Sequence, residues 1–155
     1  MRFAVLVALV LAIGCSGKRT ERESPLVAEA KRCGAGGAEM ACGRPIIRVA
    51  SLTASQAYYR DKLGFKVDWE HGDPPDFGSV SRGDYVLFMC EQCQSAAGAW
   101  SMTFMRDVDK YYDELKKRDA IIQQPPTDMP WGLREMHVAD LDGNVIRFGS
   151  HGDHD

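Results

Sequence analysis

Three sets of side chains in this sequence are of types that do chemistry. Cys90-Glu-Gln-Cys93 places two thiols at a spacing that suits a local disulfide, a redox pair or half of a zinc site. Cys33 and Cys42 form a second pair, and Cys15 stands alone near the start. A redox pair would open a helix after a strand, whereas this one closes the apolar run Tyr85–Met89. Disulfides Cys33–Cys42 and Cys90–Cys93 are therefore the simplest reading, although four cysteines allow other pairings. His137 is the histidine set inside an apolar, strand-like run, and alternation puts it on the same side as Glu135. That pair could serve a metal or a proton, but a lone strand histidine is more often a structural hydrogen-bonding group. His151 and His154 lie in the short tail at 151–155. Trp131 sits in a Pro- and Gly-bounded loop, where an aromatic side chain is placed to bind. Arg82-Gly83-Asp84 reads as a hairpin turn and not as an adhesion motif.

The elements that would hold these residues can be read from the apolar pattern. Ile46–Ala50 reads as a strand, and Ser51 or Thr53 caps a helix over Leu52–Lys62 that stops at Gly64. Phe65–Glu70 is a second strand, and Gly72–Asp76 is a Pro-containing loop. Phe77–Ser81 and Tyr85–Met89 form a hairpin. The order then repeats. Trp100–Arg106 is a strand, and Asp107 caps a helix to Arg118. Ala120–Gln123 is a short strand, Gln124–Gly132 a Pro-rich loop, and Leu133–Ala139 and Val145–Phe148 a pair joined by Asp140–Asn144. The two halves share Tyr58-Tyr59 and Tyr111-Tyr112 at matching helix positions. The expectation is an α+β domain of two pseudo-symmetric βαβββ modules forming a curved mixed sheet around a cavity. Asp119 stands where a helix-ending Gly is expected, so it must take a left-handed conformation or end the helix otherwise.

The N-terminus reads as an export signal. Arg2 precedes the apolar run Phe3–Ile13, which is too short to span a bilayer, and Ala12-Ile13-Gly14-Cys15 resembles a lipobox. Residues 1–14 would be removed, Cys15 lipidated, and 15–43 would form a structureless tether ahead of a domain at 44–150. The expected location is outside the bacterial cytoplasm, with membrane attachment through the lipid alone. From Arg44 onward there are 13 basic and 18 acidic residues. That balance gives no electrostatic basis for nucleic-acid binding and favours a cationic partner.

Tyr58-Tyr-Arg-Asp-Lys-Leu-Gly-Phe65 in the first unit and Asp140-Leu-Asp-Gly-Asn-Val-Ile-Arg-Phe148 in the second resemble the vicinal oxygen chelate superfamily. Within it the chain is most similar to the bleomycin-resistance branch, over residues 45–149. Leu141 and Asp119 depart from its usual Pro and Gly. The resemblance implies sheets curled around a cavity with helices outside, a homodimer, and an organic ligand held between subunits. It also implies four positions at which glyoxalases and dioxygenases of the superfamily place metal ligands. Counted from the helices and turns, these fall at Arg44, Leu87, Trp100 and Arg147. Neither a guanidinium, an isobutyl group nor an indole donates a lone pair to a metal. No metal and no cofactor are therefore expected.

Alternation extends the cavity face from these positions to Ile46, Arg48, Met89, Met102 and Phe104, with Trp69 and Trp131 at its mouth. Such an apolar, aromatic and Met-rich lining suits a bulky planar organic ligand. The reading is a metal-free binding protein that sequesters a small cationic ligand of the bleomycin type, acting in antibiotic resistance, rather than an enzyme. Two rivals remain open. One is a metal-dependent lyase or dioxygenase with ligands displaced to residues such as Glu135 and His137. The other is a structural or interaction lipoprotein whose cavity is filled.

Overall fold

The computed structural model describes residues 23–34, 42–93, 96–151. The export signal, Cys15 and the tail from 152 onward lie outside the described residues. The elements are α1 (Pro25–Gly34), β1 (Ile46–Arg48), α2 (Leu52–Asp61), β2 (Lys66–Gly72), β3 (Pro75–Arg82), β4 (Tyr85–Cys90), β5 (Trp100–Phe104), α3 (Val108–Lys117), β6 (Ile121–Asp128), β7 (Leu133–Ala139) and β8 (Val145–His151). The strands make two four-stranded mixed sheets of the same order, β1-β4-β3-β2 and β5-β8-β7-β6. In each, the first strand of the module lies parallel to the last and the other pairs are antiparallel. The two modules are thus repeats in topology as well as in sequence, and β1 and β5 are both edge strands.

Each helix starts at a side-chain cap. Ser51 accepts from the Ala54 N–H at 3.4 Å, and Asp107 accepts from that of Lys110 at 2.9 Å. After α2 the chain turns at Gly64 with φ +69°, and after α3 at Asp119 with φ +53°. Asp119 therefore takes the left-handed conformation that the sequence left open. Leu52, Tyr59 and Leu63 pack with Ile47, Val80, Leu87 and Met89 in a continuous core. Val108, Tyr111 and Leu115 join it with Met136, Val138, Ile146 and Phe148. Because one face of each sheet is buried this way, side chains of the other parity are left on a face turned from the helices. The modules are also stitched through polar groups. The Tyr58 hydroxyl donates to the Ala139 carbonyl at 3.0 Å, and the Tyr111 hydroxyl to that of Leu63 at 2.8 Å. Asp142 accepts from the Ala50 N–H at 3.0 Å, so the turn at Asp140–Asn144 fastens onto the start of α2.

Three local expectations are corrected. The stretch read as a structureless tether contains α1, whose Glu29 is only 4% exposed and pairs with Arg44. The segment read as a loop after Gln123 is strand as far as Asp128. It tolerates Pro125 and Pro126 because β6 is an edge strand and its register shifts between Gln124 and Thr127. Likewise β3 begins at Pro75, inside the expected loop. Among the described residues no helix is long and apolar enough to cross a membrane.

Candidate functional site

The site is built on the helix-free face of the second sheet. Strand register sets its rows. Met102 lies beside Arg147, which lies beside His137, and His137 beside Gln124. The next row is Phe104, Gly149 and Glu135. Gly149 makes room there. A Cβ on it would come within 3.2 Å of Met102, 3.5 Å of Phe104 and 3.7 Å of Glu135, so three side chains converge over a position with none of its own. On the edge strand Trp100 is 60% and Phe104 69% exposed, and across the face Trp131 is 58% exposed. Large apolar side chains this open in one neighbourhood mark a binding surface more than isolated ones do.

Beneath them lies one polar cluster. Glu135 is 0% exposed, and its carboxylate is held from both sides. The Trp131 indole N–H donates to Oε1 at 2.6 Å, and the Arg147 guanidinium pairs with Oε2. The same guanidinium lies 5.1 Å from the Trp131 ring centroid, within range of a cation–π contact. The buried carboxylate is thus neutralised, and Arg147 offers little free charge to a ligand. A recess of about 450 Å³ opens here, walled by Met102, Phe104, Trp131, Leu133, Glu135 and Arg147. A larger groove of about 900 Å³ runs along the other side of β5. It joins Trp100, Met102 and Phe104 to Arg44, Tyr85 and the turn at Gly83. His137 shares the row of Met102 and Arg147. Its ring meets Trp100 edge-on at 5.3 Å, and burial, with the Arg147 charge beside it, holds its pKa below the usual histidine value.

The structure divides the residues expected to line a single cavity. Trp100, Met102, Phe104, Trp131 and Arg147 come together as described. Ile46 lies on the open face of β1, half exposed, and Arg44 reaches the groove but is engaged by Glu29 at 2.8 Å. Arg48 lies instead in a shallow recess with Glu91 and Asp142. Trp69 belongs to the first sheet, where it packs with Phe77 and Phe88 at ring distances of 5.3 Å each. Leu87 and Met89 are corrected: both are fully buried on the helix side of β4. The pairing of Ile46 with Phe88 puts Phe88 and Cys90 on the face turned from the helices, one residue out of phase with expectation. Glu135 and His137 were expected at the site only under the rival metal-dependent reading, and Phe88 was not expected on the face turned from the helices. The signal for the first two was the Asp140–Asn144 turn, since a hairpin pairing Ala139 with Val145 sets His137 opposite Arg147.

The residues at the metal-ligand positions do not fit a divalent ion. With Phe88 in place of Leu87 on the cavity side, the positions carry Arg, Phe, Trp and Arg, and the nearby Glu135 is committed to Arg147 and Trp131. Among the described residues no cluster of three or more His, Cys, Asp or Glu could hold a metal. Cys90 and Cys93 are joined in a disulfide, as read from the sequence. Cys42 is also disulfide-bonded, while the side chain of Cys33 lies outside the described residues.

A family model described as glyoxalase superfamily protein matches residues 28–155. The uncharacterized protein YraH of Bacillus subtilis is 27% identical over 115 residues, 64% of this chain and 90% of its own. The bleomycin-binding protein of bleomycin-producing Streptomyces verticillus, solved with copper(II)-bleomycin, superposes with a TM-score of 0.62 at 23% identity. The match covers 75% of this chain and 99% of that one. A bleomycin resistance determinant encoded on transposon Tn5 gives 0.61 at 18% identity, covering 72% and 98%. Lactoylglutathione lyase of Agrobacterium tumefaciens gives 0.60 at 16% identity, covering 71% and 92%. The fold is therefore shared with binding proteins and with an enzyme alike.

Proposed function

The chain belongs to the glyoxalase superfamily, and from that premise we propose that it is a metal-free protein that binds and sequesters a small organic ligand on the open face of its second sheet. The observation that carries this reading is the convergence of Met102, Phe104 and Trp131 around a Glu135–Arg147 pair that is already neutralised, with Trp100 exposed beside them over His137. Sequestration needs shape, apolar area and a few fixed polar groups. It needs no metal and no proton relay, and the donor set supplies neither. The likeness to bleomycin-binding proteins makes a bleomycin-type glycopeptide the first ligand to try. The acidic balance of the domain favours a cationic ligand at long range, while the one carboxylate of the recess, Glu135, is already committed to Arg147 and Trp131.

In this reading the protein is exported and tethered through a lipid on Cys15, and it acts in resistance by holding a drug outside the cytoplasm. A homodimer follows from the same premise, since β1 and β5 are edge strands with open backbone groups and Ile46, Trp100 and Phe104 stand exposed along them. The test is a titration of metal-free bleomycin into the purified domain, read by tryptophan fluorescence, with metal analysis of the same sample. A saturable change with no stoichiometric metal is expected. A divalent ion that survives dialysis would overturn the reading in favour of a lyase or dioxygenase. Absence of any response to bleomycin, with Trp100 insensitive to added quencher, would favour a filled, structural face.

A further inference from the structure

The Nε2 atom of His137 is buried and makes no hydrogen bond among the described residues. Buried polar atoms in folded proteins are nearly always paired, so an orphan on a binding face needs a cause. The groups facing it are few. Trp100 from β5 covers the ring edge-on, Arg147 from β8 lies in the same row, Glu135 is two residues along β7, and Gln124 from β6 is its cross-strand neighbour. Of the two charges, Glu135 and Arg147 neutralise each other. Neither a ligand cation nor a ligand anion finds an unpaired counter-charge beside His137. The cover is also the least secured part of the arrangement. Trp100 sits at the end of an edge strand, is more than half exposed, and its ring contact with the described residues is to His137 itself.

Resting on the binding reading above, we propose that His137 is the polar recognition group of the site and Trp100 its movable cover. A planar heteroaromatic ligand with an uncharged hydrogen-bonding edge displaces the indole, stacks between Trp100 and the apolar wall of Met102, and bonds Nε2. The orphan atom is then satisfied in the bound state and unpaired in the free one. Selection falls on neutral edge chemistry and not on charge, which distinguishes this site from one built to recognise a cation by a carboxylate.

The test uses the full-length exported protein and three probes: metal-free bleomycin, quinazolin-4-one as a neutral planar hydrogen-bonding molecule, and naphthalene as its shape match without polar atoms. Binding is followed by tryptophan fluorescence and by the nitrogen resonances of the His137 ring. Quinazolin-4-one is expected to shift Nε2 and to bind roughly tenfold more tightly than naphthalene. His137→Phe should remove that preference, and His137→Gln, which keeps a hydrogen-bonding side chain, should restore most of it. Equal affinity for the two planar probes, or an unmoved Nε2 resonance on binding, would overturn the proposal while leaving the binding reading intact if bleomycin still binds. Failure of all three probes to bind the wild type would overturn both.

Discussion

The two sheets have one topology and opposite outer faces. Equivalent rows make the contrast plain. In the first module Ile46, Phe88, Ser79 and Trp69 lie side by side, and in the second Met102, Arg147, His137 and Gln124 occupy the same places. The first face is closed on itself. Trp69, Phe77 and Phe88 meet edge to face, and Asp68 accepts from the hydroxyls of Ser79 and Ser81 at 3.2 and 2.8 Å. Glu29 of α1 adds an ion pair to Arg44 at the rim of the same small cavity. The second face has its aromatics on the edge strand and in a loop, where they stay more than half exposed and meet polar groups and not one another, and a buried ion pair at the centre. A duplicated module thus keeps one copy as scaffold and leaves the other open. The difference lies in how the rings are spread: over the three adjacent strands β2, β3 and β4 in one copy, where they meet one another, and over edge β5 and a loop in the other.

That contrast makes predictions of graded size. The largest effect should come from matched truncations of one ring on each face. Phe88→Ala opens a cavity in the closed cluster and should cost about 3–5 kcal/mol in urea unfolding, whereas Phe104→Ala should stay within about 0.5 kcal/mol. Equal losses would break the distinction between scaffold and open face. Next is the ion pair. Arg147→Ala strands the carboxylate of a fully buried Glu135 and should destabilise by about 3 kcal/mol, but the double change with Glu135→Leu should recover much of that. Recovery absent in the double variant would mean that the pair is not the unit that holds this face. The smallest effect is on binding. Trp100→Ala should weaken bleomycin binding by about 1–3 kcal/mol with little change in stability, read by fluorescence from Trp131 and by denaturation. A collapse of stability without loss of affinity would reassign Trp100 to the core.

Much of the fold was legible because the repeat, the two N-caps and the turn formers agree with one another. Ser51, Asp107 and Asp140–Asn144 each act where the pattern put them. What escaped was register and context. Leu87 and Phe88 are both apolar, so alternation alone could not say which faces the helix, and an error of one residue reversed the strand's sides. Pro125 and Pro126 read as loop because an edge strand with a bulge cannot be told from a turn by composition. α1 is one short helix set in Gly- and charge-rich sequence and so did not stand out as an element, yet a buried Glu29–Arg44 pair docks it. At the site, Trp100, Phe104 and Trp131 could be picked out from the sequence, but Trp69 could not be told from them, and the coupling of Glu135, Trp131 and Arg147 required the β7–β8 register.

The central claim is that the second module's open face, and not the first, takes the ligand. Amide and indole resonances of nitrogen-15 labelled protein, mapped during titration with metal-free bleomycin, address it directly. The account predicts shifts concentrated at Trp100, Met102, Phe104, Trp131 and Arg147, with Trp69, Phe77 and Phe88 unmoved. Shifts centred on Trp69 and Phe77, with the Trp100 and Trp131 indoles unchanged, would contradict it.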